Sequence, residues 1–228
     1  SAARENARTV RDVISREMWE ELNALYLMVR EARKSVAGPE DMAEFYERVK
    51  RAGFRYAGAT DATMSHGEAW HFSQLGRMIE RADKTSRILD VKYYILLPEL
   101  GDVGSSVDQV GWTALLNSAS ALQMYRQRHH VITPRRVAQF LLLSNNFPRS
   151  IRHCVHRVQD SLHEITGTPI GSYRNQCERI VGMLRSGLDY AEMDEVMKSG
   201  LHEYLDELQT TLNDVGKCFS QNFFHLKV

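Results

Sequence analysis

Sparse punctuation constrains this chain more than anything else in it. The 228 residues hold only 5 Pro and 14 Gly, so long uninterrupted elements are expected. Between those breaks apolar residues recur at spacings of three and four. Val10, Val13, Ile14, Met18, Leu22, Leu25, Met28 and Val29 form one such stripe, the mark of an amphipathic helix. No stretch alternates apolar with polar residues as a half-buried strand does. The chain reads as all-α, a multi-helix bundle with several long antiparallel helices.

The breaks divide it into seven or eight helices. The first runs from Ala3 to Ser35 and ends at Gly38-Pro39. Pro39-Glu40-Asp41 opens the second, because proline and acids suit a first helical turn. A third spans about 66–97, stopped by Pro98 before a loop at Glu99–Ser106 with Gly101 and Gly104. A fourth covers about 107–128. Thr133-Pro134 and Phe147-Pro148 open helices that end near Leu143 and Ile165. After Gly167-Thr168-Pro169-Ile170-Gly171 come helices over about 172–188 and 193–224. No linker is long and polar enough to mark a boundary, so 1–228 reads as one helical domain.

Charge narrows the function classes. Lys+Arg and Asp+Glu are both 29, for a net charge of zero. That balance offers no general attraction to nucleic acid or to an anionic membrane surface. No apolar run reaches the roughly 18 residues of a membrane span. Cys154, Cys177 and Cys218 are far apart, odd in number and form no CxxC, so neither a disulfide framework nor a structural zinc site is expected. Cys154 and Cys177 fall on helical patterns as buried residues. A reducing cytoplasm is the expected location. The start Ser1-Ala2-Ala3-Arg4 has no Met and reads as helix interior, as in a processed or truncated chain. No GxSxG, GxxxxGK[ST] or GxGxxG occurs, and no cofactor is expected.

Five groups of polar residues stand out. Arg77, Glu80, Lys84 and Arg87 follow one another at i, i+3, i+7 and i+10, with Asp83 four residues before Arg87. The plain reading is a ladder of ion pairs worth about 0.2–0.5 kcal/mol each when exposed. The sharper reading puts Glu80 and Arg81 in a groove that orients a ligand. His66, Glu68 and His71 form half of a helical metal motif; only Asp160-x-x-His163 echoes it, and metal is a weak alternative. Arg135, Arg136 and Arg149 sit at helix starts, where the dipole disfavours cations but free N–H groups suit anions. They bind an anion there or reach a neighbouring acidic helix. Arg4, Arg8 and Arg11 read as a mixed solvent face. His129, His130, His153 and His156 read as surface or packed side chains.

The segment Trp70 to Val91, with Gly76-Arg77-Met78-Ile79-Glu80-Arg81-Ala82-Asp83 at its centre, resembles the α-E family, bacterial helical domains of unknown function with a Glu-Arg motif. Arg4-Glu5-Asn6-Ala7-Arg8, Trp19-Glu20-Glu21-Leu22-Asn23, Phe147-Pro148-Arg149-Ser150 and Leu212-Asn213-Asp214-Val215-Gly216 carry the likeness along the whole chain. The resemblance implies an earlier helix with a first Glu-Arg copy, which this sequence lacks. It also implies the company of ATP-grasp ligases and transglutaminase-like proteins. The expected function is an accessory module that holds such a partner, or a peptide, at a groove of Glu80, Arg81, Arg77, Asp83, Arg87 and Arg149. The alternative is an enzyme with an acid–base or metal-assisted site around the Glu-Arg motif. Self-association is left open.

Overall fold

The computed structural model describes residues 2–35, 38–95 and 106–224. Among them are eleven α-helices and no strand, as the apolar periodicity requires. Pro98 and the glycines at 101 and 104 lie outside the described residues. The helices gather into two compact units, Ser1–Trp70 and His71–Val228.

In the first unit, α1 (Ala2–Thr9), α2 (Arg16–Ser35) and α3 (Pro39–Thr63) precede the start of α4 (Glu68–Ile95). The single helix expected over 3–35 is two helices. Ser15 interrupts it: its Oγ accepts the Met18 N–H at 3.1 Å, which is an N-cap. Val10 and Val13, counted in the apolar stripe, are exposed as a result. Met18, Met64 and Trp70 form the small core, packed by Ile14, Tyr56 and Ala59. Asp41 accepts the Gly38 N–H at 3.2 Å and opens α3 as the sequence indicates.

The second unit carries the main core. It comprises the rest of α4, α5 (Ser106–Ser118), α6 (Leu122–Arg126), α7 (Pro134–Leu143), α8 (Ile151–Thr166), α9 (Gln176–Asp189), α10 (Met193–Ser199) and α11 (Leu201–Phe219). A π-helical turn follows at Ser220–Phe224. On α8, Ile151, Cys154, Val155, Val158 and Leu162 are buried, at the expected helical spacing. On α11, Leu201, Leu205, Leu208, Leu212 and Val215 do the same. Each such leucine contributes about 1.5–3 kcal/mol by leaving water. Thr133 and Ser150 cap α7 and α8 by accepting the N–H groups of Arg136 and His153.

Two expected helices are broken. The 107–128 helix stops at Ser120, which takes a left-handed φ of 52°. Ala121 N–H then reaches Leu116 O at 2.7 Å and Ser120 N–H reaches Asn117 O at 2.9 Å, a Schellman ending. The 193–224 helix breaks at Gly200, whose φ of 98° no other residue adopts cheaply. The 172–188 helix starts later, where Asn175 Oδ1 accepts the Glu178 N–H at 2.9 Å.

Across the core, His202 Nδ1 of α11 lies 2.7 Å from Asp90 Oδ1 of α4. The hydrogen bond to Asp90, then its charge, holds the imidazole pKa above the ordinary 6.5. A raised histidine stabilises the fold while charged. That contribution is complete below the unfolded value and is lost as pH rises through the higher folded value. The melting temperature of the parent chain is expected to fall across that window relative to His202→Gln. Parallel melting profiles for the two proteins would contradict the assignment.

Candidate functional site

The Phe147-Pro148-Arg149-Ser150 turn is held to α4 by two side chains one turn apart. Arg81 Nη1 donates to the Pro148 carbonyl at 3.0 Å. Thr85 Oγ1 donates to the Arg149 carbonyl at 2.9 Å. Phe147 is buried and packs on Phe140 with ring centroids 4.9 Å apart, so the turn is anchored from both sides. Ser150 then caps α8, which leaves Arg149 just outside the helix start, beside the Arg81 bond.

Arg149 is half-buried, and its guanidinium has no hydrogen bond or carboxylate partner among the described residues. Burial, then the charge of Arg81, pulls its pKa below the ordinary arginine value. Arg81 itself is spent on a carbonyl, which leaves its charge uncompensated. The Cys154 thiol lies in the same environment. Burial pushes it up to about 12 against the opposing pull of the two arginines, so it is no nucleophile at neutral pH. Two guanidiniums sharing a partly desolvated place without an acid form a site that an oxyanion would neutralise.

The other expected site residues lie apart from this pair. Glu80 is on the outer face of α4, its side chain 68% exposed, with Lys84 at 3.3 Å. Asp83 holds Arg87 through both carboxylate oxygens, at 3.0 and 2.9 Å. Arg77 bonds to Gln74. Neighbouring helical residues are about 100° apart, so Glu80 cannot face inward with Arg81. The expected groove of six residues thus reduces to Arg81 and Arg149. Of the other helix-start arginines, Arg135 reaches Asp194 on α10 at 2.7 Å, which answers its role with an acidic helix.

A model of one protein family, described as a predicted alpha-helical domain with a conserved ER motif, matches residues 1–224. The chain belongs to the Alpha-E family. No curated protein and no solved structure matches it. In this Alpha-E chain Glu-Arg occurs three times, at Glu47-Arg48, Glu80-Arg81 and Glu178-Arg179, and the residue turned inward differs. At 80–81 the arginine is the inner one. At 178–179 it is the glutamate, 1% exposed, while Arg179 is exposed.

Glu178 belongs to a buried polar cluster that sequence reasoning missed. Arg185 Nη1 donates to Gln159 Oε1 at 2.7 Å. Gln159 Nε2 faces His163 Nε2 at 3.5 Å, and His163 Nδ1 lies 2.6 Å from the Thr168 carbonyl. A carbonyl only accepts, so Nδ1 carries the proton there. Glu178 Oε2 accepts the Arg174 N–H at 2.5 Å. Burial pushes the Glu178 carboxyl up, but the nearby Thr166 hydroxyl and the Arg174 N–H outweigh it and hold the pKa low. The cluster pins the loop between α8 and α9. Cavities of about 500 and 680 Å³ flank it, the first beside Gln159 and Glu178, the second beside His163 and Thr168. Only the Asp160-x-x-His163 spacing hinted at it in sequence.

The metal alternative gains nothing. The His66 ring stacks on Trp70 at 4.2 Å and its Nε2 lies 3.0 Å from the Asp61 carbonyl. No group of three or more His, Cys, Asp or Glu placed to hold a metal ion occurs among the described residues. The cysteine expectation needs correcting. Cys177 at the start of α9 and Cys218 near the end of α11 form a disulfide, with Cα atoms 5.6 Å apart. Their sequence separation of 41 hid the pairing, which only the packing of α9 on α11 creates. Cys154 and Cys177 are buried as expected. No helix among the described residues is long and apolar enough to cross a membrane.

Proposed function

We propose that this Alpha-E chain is a non-catalytic binding module that takes a carboxylate of a peptide or partner protein between Arg81 and Arg149. The partner is an ATP-grasp ligase or a transglutaminase-like protein, in peptide synthesis or modification. One observation carries the reading: the half-buried Arg149 guanidinium, beside a second arginine, has no acid of its own among the described residues. A protein that holds two like charges in a partly dry place leaves a strong incentive for an incoming anion. The dispersal of Glu80, Asp83 and Arg87 into pairs of their own supports binding over an enzyme centred on the Glu-Arg motif.

Affinity purification of the full chain from its own cells, read by mass spectrometry, tests this. The parent protein is expected to recover an ATP-grasp or transglutaminase-like partner. Arg149→Ala, with an unchanged far-UV spectrum, should reduce that recovery by about tenfold or more, as loss of a charge-assisted hydrogen bond implies. Equal recovery with Arg149→Ala, or recovery of neither partner type, would overturn the proposal.

A further inference from the structure

On the α1–α2 face, arginines and aromatic rings alternate. The Arg4 guanidinium carbon lies 5.6 Å from the Trp19 ring centre and 4.9 Å from that of Tyr26. Arg11 lies 5.6 Å from Trp19, and Arg30 lies 5.9 Å from Tyr26. The order is therefore Arg11, Trp19, Arg4, Tyr26, Arg30. Asn23, midway between the rings, accepts the Arg4 Nε–H at 2.8 Å and fixes the central rung. The sequence spacing Trp19, Asn23, Tyr26, Arg30 places this stripe along one side of α2.

Three neighbouring acids are engaged elsewhere, while Asp12, Glu17 and Glu31 pair with none of these arginines among the described residues. Glu5 pairs with Arg8 at 3.3 Å, Glu20 with Arg16 at 2.6 Å and Glu21 with Arg55 at 2.8 Å. Arg4, Arg11 and Arg30 have no carboxylate partner among the described residues. Arg4 spends its Nε–H on Asn23 and Arg11 donates through Nη1 to the Ile14 carbonyl at 3.5 Å, and the remaining N–H groups of a guanidinium held over a ring can still bind a carboxylate. The rings also hold the arginines in place, so little side-chain freedom remains to be lost on binding.

We infer that this ladder is a docking face for an extended, acidic segment of a partner protein. The two rings are about 10 Å apart along the helix axis. An extended strand places side chains on one side about 7 Å apart, so a short run of Glu or Asp spans the three arginines. Charge complementarity selects the occupant. Single-stranded nucleic acid needs open aromatic faces for its bases, and here guanidiniums already cover the half-buried Trp19 and Tyr26. The ladder shares no residue with the Arg81 and Arg149 site and stands whether or not that pair binds an anion.

Fluorescence anisotropy of a labelled decaglutamate peptide with the full chain tests the inference. Decaglutamate is expected to bind, more weakly as salt rises, and decaglutamine is not. Arg11→Gln with Arg30→Gln should weaken decaglutamate binding by about tenfold or more while Arg4 still secures α1. Arg11→Lys with Arg30→Lys should also weaken it, since lysine keeps the charge but loses the fork. Arg48→Gln with Arg51→Gln, exposed residues of α3 that the ladder does not include, should leave it unchanged, which separates the ladder from a general attraction to arginine. Unchanged binding in the Arg11/Arg30 glutamine variant, equal binding of decaglutamine, or tighter binding of a ten-nucleotide thymidine strand would each overturn it.

Discussion

Asp189→Asn is expected to destabilise the His71–Val228 unit by about 2–3 kcal/mol, the order of a broken, largely buried charge network with a quarter of its surface still wet. Asp189 is the last residue of α9, where the helix dipole disfavours a negative charge. Side chains from α8 and α9 hold it there. Arg152 Nε lies 2.8 Å and His156 Nε2 lies 2.6 Å from Oδ1, while Arg185 Nε lies 3.4 Å from Oδ2. Their side chains are only 23–27% exposed. Asparagine keeps one acceptor but removes the charge, so Arg152 and Arg185 are left with much less compensation. Glu80→Gln provides the contrast. Its partner Lys84 is exposed, and an exposed i,i+4 pair is worth about 0.2–0.5 kcal/mol. Urea midpoints for both variants decide the ranking, provided the slopes are unchanged. A Glu80 variant as damaged as Asp189→Asn would show that the outer face of α4 carries more than solvent contact.

The same carboxylate sets a pH dependence. Burial pushes the Asp189 pKa up, while hydrogen bonds from His156 and Arg152 and their charges outweigh it, so the folded value lies below the ordinary 3.8. A depressed acid stabilises the fold above its unfolded value. That contribution fades as pH falls through the folded value. Asp189→Asn should therefore flatten the acid limb of the stability profile.

These residues also show what a linear reading can reach. The buried faces of α8 and α11 were legible because burial imposes a three-and-four spacing on the chain itself. The start of α7 was legible because Thr133 caps it and Pro134 follows, whereas α8 begins after the Phe147-Pro148 turn, at the Ser150 cap. Ser120 was not: it closes α5 in a left-handed conformation normally given to glycine, so composition offers no signal. Gly200 offered one, but apolar residues at helical spacing on both sides of it read as one helix. In the candidate site, Arg81 and Arg149 were picked out by residue type and position, and Arg81 binds the carbonyl of Pro148, the residue before Arg149. Glu80 was grouped with Arg81 because they are neighbours in sequence, although neighbours on a helix diverge. Asp189, Glu178 and the Cys177–Cys218 pair depend on contacts between α8, α9 and α11. Those contacts have no fixed sequence separation, so no local pattern encodes them.

Reducing the Cys177–Cys218 bond is expected to lower stability by more than any other single change described. Closing a loop across 41 residues removes unfolded-state freedom worth about 4 kcal/mol. The native state should survive reduction. Cys177 and Cys218 are both buried, and thiols pack there as small apolar groups. Asn222 Nδ2 keeps its hydrogen bond to the Cys218 carbonyl at 2.9 Å, so the π-helical turn retains its own tie to α11. The loss should therefore appear in the urea midpoint with and without a phosphine reductant, and little in the far-UV spectrum. Cys177→Ser should reproduce it, and reductant should then have no further effect. Three titratable thiols in the unfolded chain purified without reductant, together with an unshifted midpoint, would refute the bond. Where a cell keeps thiols reduced, the α9–α11 contact is held by apolar packing without the bond. There the cost of Asp189→Asn takes a larger share of what remains, so the double perturbation, Asp189→Asn under reductant, is the most sensitive reading of how this core is held.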